Sequence, residues 1–179
     1  MAITRLGGAN AITGTLPAAN INDTSIGNIT ALPAAIATGK VLQVVTGVTY
    51  TSTSSTSATY ADTSLTASIT PSATSSKILI MVNQFMRKDQ NNTYIGYKLF
   101  RDSTELNYIG DLIAYTQNSD SDANGIGTTY LDSPSSTSAL TYKTQFATLS
   151  GGTITIQADA GSANERGRGS MTLMEIAGW

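Results

Sequence analysis

The side chains whose types and spacing could do chemistry fall in three places. Asp120-Ser121-Asp122-Ala123-Asn124-Gly125 sets oxygen donors at alternate positions ahead of a glycine, which is how a calcium loop begins. The twelfth position, where such a loop needs a bidentate glutamate, is Leu131, and the flanks read as strands rather than helices. Asx-turn chemistry in an exposed loop accounts for the same residues, so no metal site is assigned. Glu165-Arg166-Gly167-Arg168-Gly169 is the densest cationic spot, where glycines let planar guanidinium groups approach a phosphate, a carboxylate or a sugar. It lacks aromatic stacking partners, and a turn whose arginines make surface or intersubunit ion pairs is the plainer reading. The tyrosines at 94, 97, 108, 115, 130 and 142 are amphipathic and suit either an interface or a sugar ring. Tyr115 lies beside the 117–125 loop and, with Asp120, Asp122 and Asn124, makes a candidate receptor loop for a host surface glycan.

Much chemistry is excluded by composition. The chain has no histidine and no cysteine, so imidazole- and thiol-based catalysis cannot occur, nor can disulfides or thiolate metal sites. A Ser-Lys dyad or a carboxylate pair remains chemically allowed, but the acidic residues are scattered among turns and strand edges. The expectation is a protein that is not an enzyme and has no cofactor. A formal net charge of -2 draws the chain neither to nucleic acid nor to an anionic membrane. The longest apolar run, Ile78 to Val82, is far below a membrane span, so no membrane insertion is expected.

The elements that would position these residues divide the 179-residue chain in two. Residues 1–39 carry one phrase twice, Ile12-Thr13-Gly14-Thr15-Leu16-Pro17-Ala18-Ala19 and Ile29-Thr30-Ala31-Leu32-Pro33-Ala34-Ala35. Each copy is uncharged and kept extended by its proline, and its apolar side chains cannot form a core alone. This is the pattern of a docking arm, with Leu6, Leu16, Ile21, Ile26, Ile29 and Leu32 as its contacts.

Residues 40–179 read as an all-β head. Only 12% of residues are charged, glycine is plentiful, and no window sustains a helical stripe. Strands are expected from Val41, through Leu65, Ala67 and Ile69, and at Ile78–Val82, which is apolar on both faces and therefore central. Tyr94–Arg101 turns through Asp102-Ser103-Thr104 into Glu105–Ile109, and further strands fall at 113–116, 127–131, 140–148, 153–157 and 170–176. Strands spaced by turns at this interval favour a sandwich or a barrel. Tyr142 and Phe146, on one strand face, and Leu173 are read as core or trimer-axis residues.

Several segments carry a family resemblance: Ala2-Ile3-Thr4-Arg5-Leu6-Gly7-Gly8, Gly39-Lys40-Val41-Leu42-Gln43-Val44-Val45, Thr63 to Pro71, Tyr130-Leu131-Asp132-Ser133-Pro134 and Met171-Thr172-Leu173-Met174-Glu175-Ile176. Together they resemble surface proteins of tailed bacteriophages, particularly those of marine and cyanobacterial hosts. The resemblance implies an N-terminal virion-binding arm joined to a C-terminal jelly-roll β-sandwich. Such heads are trimeric and similar in plan to complement and tumour-necrosis-factor heads. It implies a homotrimer bound to other phage virion proteins, of capsid or tail, and located in the virion after assembly in the host bacterial cytoplasm. Forty extended residues reach at most about 130 Å and no shaft follows them, which suits a capsid decoration or head fibre. The alternative role is a tail-fibre or tail-tip receptor-binding protein in host adsorption.

Overall fold

A computed structural model describes residues 40–118, 122–157 and 167–178. Ten strands run through them: β1 (Val41–Thr49), β2 (Thr53–Ser55), β3 (Ala61–Ile69), β4 (Lys77–Lys88), β5 (Ile95–Arg101), β6 (Thr104–Ile113), β7 (Asp122–Asp132), β8 (Leu140–Thr148), β9 (Ile154–Ile156) and β10 (Gly169–Ile176). All lie within residues 39–179, and all pair antiparallel. The expected arm residues Leu6, Leu16, Ile21, Ile26, Ile29 and Leu32 are outside the described residues, as are Asp120, Glu165 and Arg166.

Two sheets form. One follows β1-β10-β4-β9-β2, with β7 on the other side of β4; the second follows β3-β8-β5-β6. With the short β2 and β9 set aside, strands that are neighbours in sequence fall in opposite sheets, apart from the β5–β6 hairpin, and first pairs with last. This interleaving is the double Greek key of a jelly roll. The chain is thus an all-β sandwich, as its turn spacing predicts.

Alternation along the strands sets the core. Thr63, Leu65, Ala67 and Ile69 of β3 face inward, as do Ile78, Ile80, Val82, Gln84 and Met86 of β4. Tyr142, Phe146 and Leu173 are each fully buried between the two sheets of this one chain. Tyr142 and Leu173 share a cluster with Leu65, Ile80, Leu99 and Met171; Phe146 belongs to a second one with Met86, Ile95, Tyr97, Ile154 and Ile156. At a corner, Gly47 of β1 lies against the backbone of Thr66, where a Cβ would collide with the carbonyl oxygen. Glycine is what lets β1 close on β3. Just before that contact, β3 slips register between Asp62 and Thr66, and Ser64 adopts a left-handed φ of 68°. Both Thr63 and Leu65 stay inward because the irregularity absorbs the slip.

Two strand expectations are corrected. β6 runs unbroken from Thr104 to Ile113, so 113–116 is no separate strand; Ala114, at a φ of 60°, turns the chain there. β7 begins at Asp122, not 127, because eleven consecutive residues pair with β4 from Ile78↔Asp132 to Lys88↔Asp122. A long central partner recruits residues whose own sequence reads as loop.

Polar side chains tie the sheets together inside the sandwich. The Gln84 Oε1 on β4 accepts hydrogen bonds from Tyr97 of β5 and from Thr144 of β8, the latter at 2.9 Å, while Thr63 and Thr144 hydroxyls meet at 2.6 Å. Asp132, at the end of β7, accepts from Arg101 Nη1 at 2.5 Å and from Tyr142 Oη at 2.7 Å, so one carboxylate joins β7 to β5 and β8. Burial and the Asp132 charge both push the Tyr142 phenol far up, keeping it a donor. Removing Asp132 leaves a shielded guanidinium and phenol without their acceptor. Asp132→Ala should lower unfolding free energy by about 3 kcal/mol in urea titration, and a loss under about 1 kcal/mol would show that the tie is unimportant.

Candidate functional site

Loops gather at one end of the sandwich. Asn92 N–H donates to Thr116 O at 2.9 Å, Leu149 N–H to Tyr94 O at 3.1 Å, and Asp89 N–H to Thr153 O at 3.2 Å, so the segments after β4, β6 and β8 are mutually bonded. Thr153 N–H returns a 2.6 Å bond to Asp89 Oδ1. Slight burial would raise the Asp89 carboxyl, but the Thr153 hydrogen bonds and the Arg87 charge outweigh it and hold the group below its ordinary range. Beneath them, Lys88 is buried and donates to Thr116. On this platform Tyr115 is exposed, stands edge-on to Tyr94 with centroids 6.1 Å apart, and donates its hydroxyl to Asn92 Oδ1 at 3.1 Å. An aromatic ring beside an amide is chemistry that suits a sugar hydroxyl.

Of the residues expected to share that loop, Asp120 is outside the described residues and Asp122 and Asn124 lie in β7. Asn124 sits half-buried in β7 opposite Met86, and Asp122 lies in the same ladder opposite Lys88. The segment expected as a loop is thus in part a strand. Among the described residues no group of three acidic side chains is arranged to hold a metal ion. Tyr94 is among the amphipathic tyrosines of the sequence, but no local signal ties it or Asn92 to Tyr115; only the fold brings them together. In the cationic segment, Gly167 packs on Phe85, and exposed Arg168 lies 5.9 Å from the centre of the Tyr50 ring. Tyr130 is half-buried against the first core cluster, Tyr97 is enclosed in the second, and Tyr108 stands beside Lys98 at 5.4 Å.

The two outer faces differ sharply. On the β3-β8-β5-β6 sheet, Lys143 pairs with Asp62 at 2.9 Å, Lys98 with Glu105 at 2.7 Å, and Ser68 bonds Thr141 at 2.9 Å. That face is wet. On the other sheet the ladder register aligns Val44, Met174, Leu79 and Leu131 in a single row across β1, β10, β4 and β7. Thr46, Thr172, Met81 and Thr129 make the next row, and Leu42 and Val48 extend the stripe along β1. Val44 is 53% exposed, Leu131 45% and Leu42 44%. The signal for this face was the doubly apolar Ile78–Val82 run.

A buried carboxylate fixes the base of that sheet. Glu175 of β10 accepts from Ser72 N–H at 2.7 Å, from the Ser72 and Ser76 hydroxyls at 2.6 Å each, and from Gln43 Nε2 at 2.6 Å. Burial alone would raise its pKa; these donors overcome that and bring it down to about 2. The β3–β4 connection and β1 are thereby pinned to β10.

No family model matches the chain, and no curated protein matches it. Solved structures do match. The structure of infectious bursal disease virus Gt strain aligns with a TM-score of 0.44 at 12% identity over 76% of this chain and 38% of that one. The crystal structure of the same virus's VP2 subviral particle gives 0.44, 12%, 76% and 38%. Its T13 viral particle gives 0.44, 11%, 78% and 37%. The chain spans little more than a third of the chains it aligns with.

Because Glu175 is held ionised in the fold, its contribution is complete above its ordinary value of 4.5 and is lost as pH falls from there toward about 2. The depressed pKa corresponds to about 3 kcal/mol of stability. Glu175→Gln should be less stable at neutral pH and should flatten the acid limb of the stability curve, read by urea unfolding at stepped pH. An unchanged limb would mean other carboxylates set it.

Proposed function

We propose that this chain is a structural protein of a virion surface in a tailed phage: a trimeric jelly-roll head, residues 40–179, held to the particle by the arm of residues 1–39. It decorates the capsid or forms a short head fibre. The observation that carries this reading is the contrast between the two outer faces. The head uses its buried polar groups to lock its own sheets together and leaves one sheet face with an exposed apolar band, no acidic group among the described residues, and cations only at its margins, which is the surface economy of a part made to be assembled. The sequence resemblance supports the same role, and it supplies the phage context. The arm's uncharged repeats suit attachment, since burial of one Leu or Ile contributes about 1.5 to 3 kcal/mol before ordering costs. Three arms on one trimer bind with avidity, so a weakly adhesive segment holds firmly only when assembled.

The second reading, host adsorption from the tail, is favoured by the Tyr115, Tyr94 and Asn92 cluster at the loop end. The two readings separate in one experiment. Full-length protein and protein lacking residues 1–38 are offered to particles stripped of it, and both are offered to host cells in competition with phage. The decoration reading expects particle binding by the full chain, loss of it on deletion with the head's unfolding unchanged, and no protection of cells. Undiminished particle binding after deletion would overturn the arm's role, and blocked adsorption would transfer the assignment to the tail.

A further inference from the structure

We infer that the outer face of the β1-β10-β4-β7 sheet is where copies of this chain meet, an inference that rests on the trimeric reading and names its contact surface. Four observations converge. The row Val44, Met174, Leu79 and Leu131 crosses all four strands, with Leu42, Val48 and Met81 beside it. Four strands about 4.8 Å apart and eight residues long cover on the order of 500 Å² in projection, more in accessible area. That footprint, its threonine row included, is of the scale of one partner's share of a standard interface, about 800 Å².

Charge points to the occupant. Among the described residues this face holds no acidic group, and its cations, Lys77, Arg87 and Arg168, sit at its margins, Lys77 and Arg87 at the two ends of β4. A partner selected by charge has little to read in the central band, whereas a second copy brings an equally uncharged band and meets no repulsion there. The opposite face carries the ion pairs Asp62–Lys143 and Lys98–Glu105. The edge gives the last observation: among the described residues β1 pairs on one side only, and Val41–Thr49 contains no lysine, acid or proline to discourage a neighbour. Natural edge strands left in water carry such devices along their length, and here the one pairing irregularity, between Val41 and Gln43, is confined to the start of β1. About a three-fold axis the contact joins unlike parts of one surface. This band offers two, the Leu42–Val44–Val48 stripe on β1 and the Leu79–Leu131 pair on β4 and β7.

The test uses the full chain. Val44→Lys with Leu131→Lys puts charge on exposed positions of both parts, and should convert the wild-type oligomer to single chains by light scattering at micromolar concentration. Because the chain has no cysteine, a second measurement is independent of that variant's folding. Thr46→Cys and Thr129→Cys should react with a bulky maleimide roughly ten-fold more slowly than Ser68→Cys on the polar face, and dilution to single chains should abolish the difference. An oligomeric wild type in which Thr46→Cys and Ser68→Cys react alike would overturn the face and leave the trimeric reading intact. A wild type that is monomeric at micromolar concentration would overturn both. Oligomerisation unchanged in the folded double lysine variant would likewise remove this face from the interface.

Discussion

Strand β4 carries apolar side chains on both faces, and each face needs its own cover. Inward, Ile78, Ile80 and Val82 are met by Leu65, Leu99 and Tyr142 of the opposing sheet. Outward, Leu79 and Met81 lie among Met174, Val44 and Leu131, and no element among the described residues lies over them. The position of β4 follows from the same fact. A strand hydrogen-bonded along both edges, by β10 and β9 on one side and β7 on the other, is where a sheet places a doubly apolar sequence. The rest of the first sheet is arranged about it.

The interior is not purely apolar, and its polar members have a geometric logic. Gln84, Thr63, Thr144 and Tyr97 form a cross-sheet group from β4, β3, β8 and β5, and Asp132 gathers Arg101 and Tyr142 from the facing sheet. Two sheets held by dispersion alone can slide by a residue pair with little penalty; buried donors and acceptors have partners in one register only. Glu175 performs the same service within its sheet by gripping Ser72, Ser76 and Gln43. With no cysteine to cross-link it, a chain of many short connections gains its single arrangement from these ties.

Much of the fold was legible because alternation is local. Leu65, Ala67 and Ile69, or Leu140, Tyr142, Thr144 and Phe146, state which side faces inward without reference to any partner. What was not legible depends on partners. The extension of β7 back to Asp122 comes from the length of β4, and the register slip near Ser64 from the approach of β1 at Gly47. The loop cluster was half legible: Tyr115 is exposed as its surroundings suggest, but its neighbours Tyr94 and Asn92 come from a loop some twenty residues earlier that no spacing rule connects to it. The acidic run at 120–124 was ambiguous for a related reason. Alternate oxygen donors are also what a half-exposed strand presents, and Asn124 is in one.

On the proposed assembly, the outer apolar face links folding to association. Covering it adds stability that grows with the concentration of the covering copies, since anything that binds the folded state alone shifts the unfolding equilibrium by mass action. A head built this way need not be hyperstable as a single chain. The ties inside the sandwich need only hold β1, β10, β4 and β7 in register long enough to present the Val44–Met174–Leu79–Leu131 row intact. A slip of one residue along β1 would send Val44 and Val48 inward and Val45 and Thr49 outward, erasing the band. Glu175, through Gln43 on β1, opposes that slip. The buried carboxylate and the exposed apolar row are therefore two ends of one constraint: the first sets the register in which the second exists.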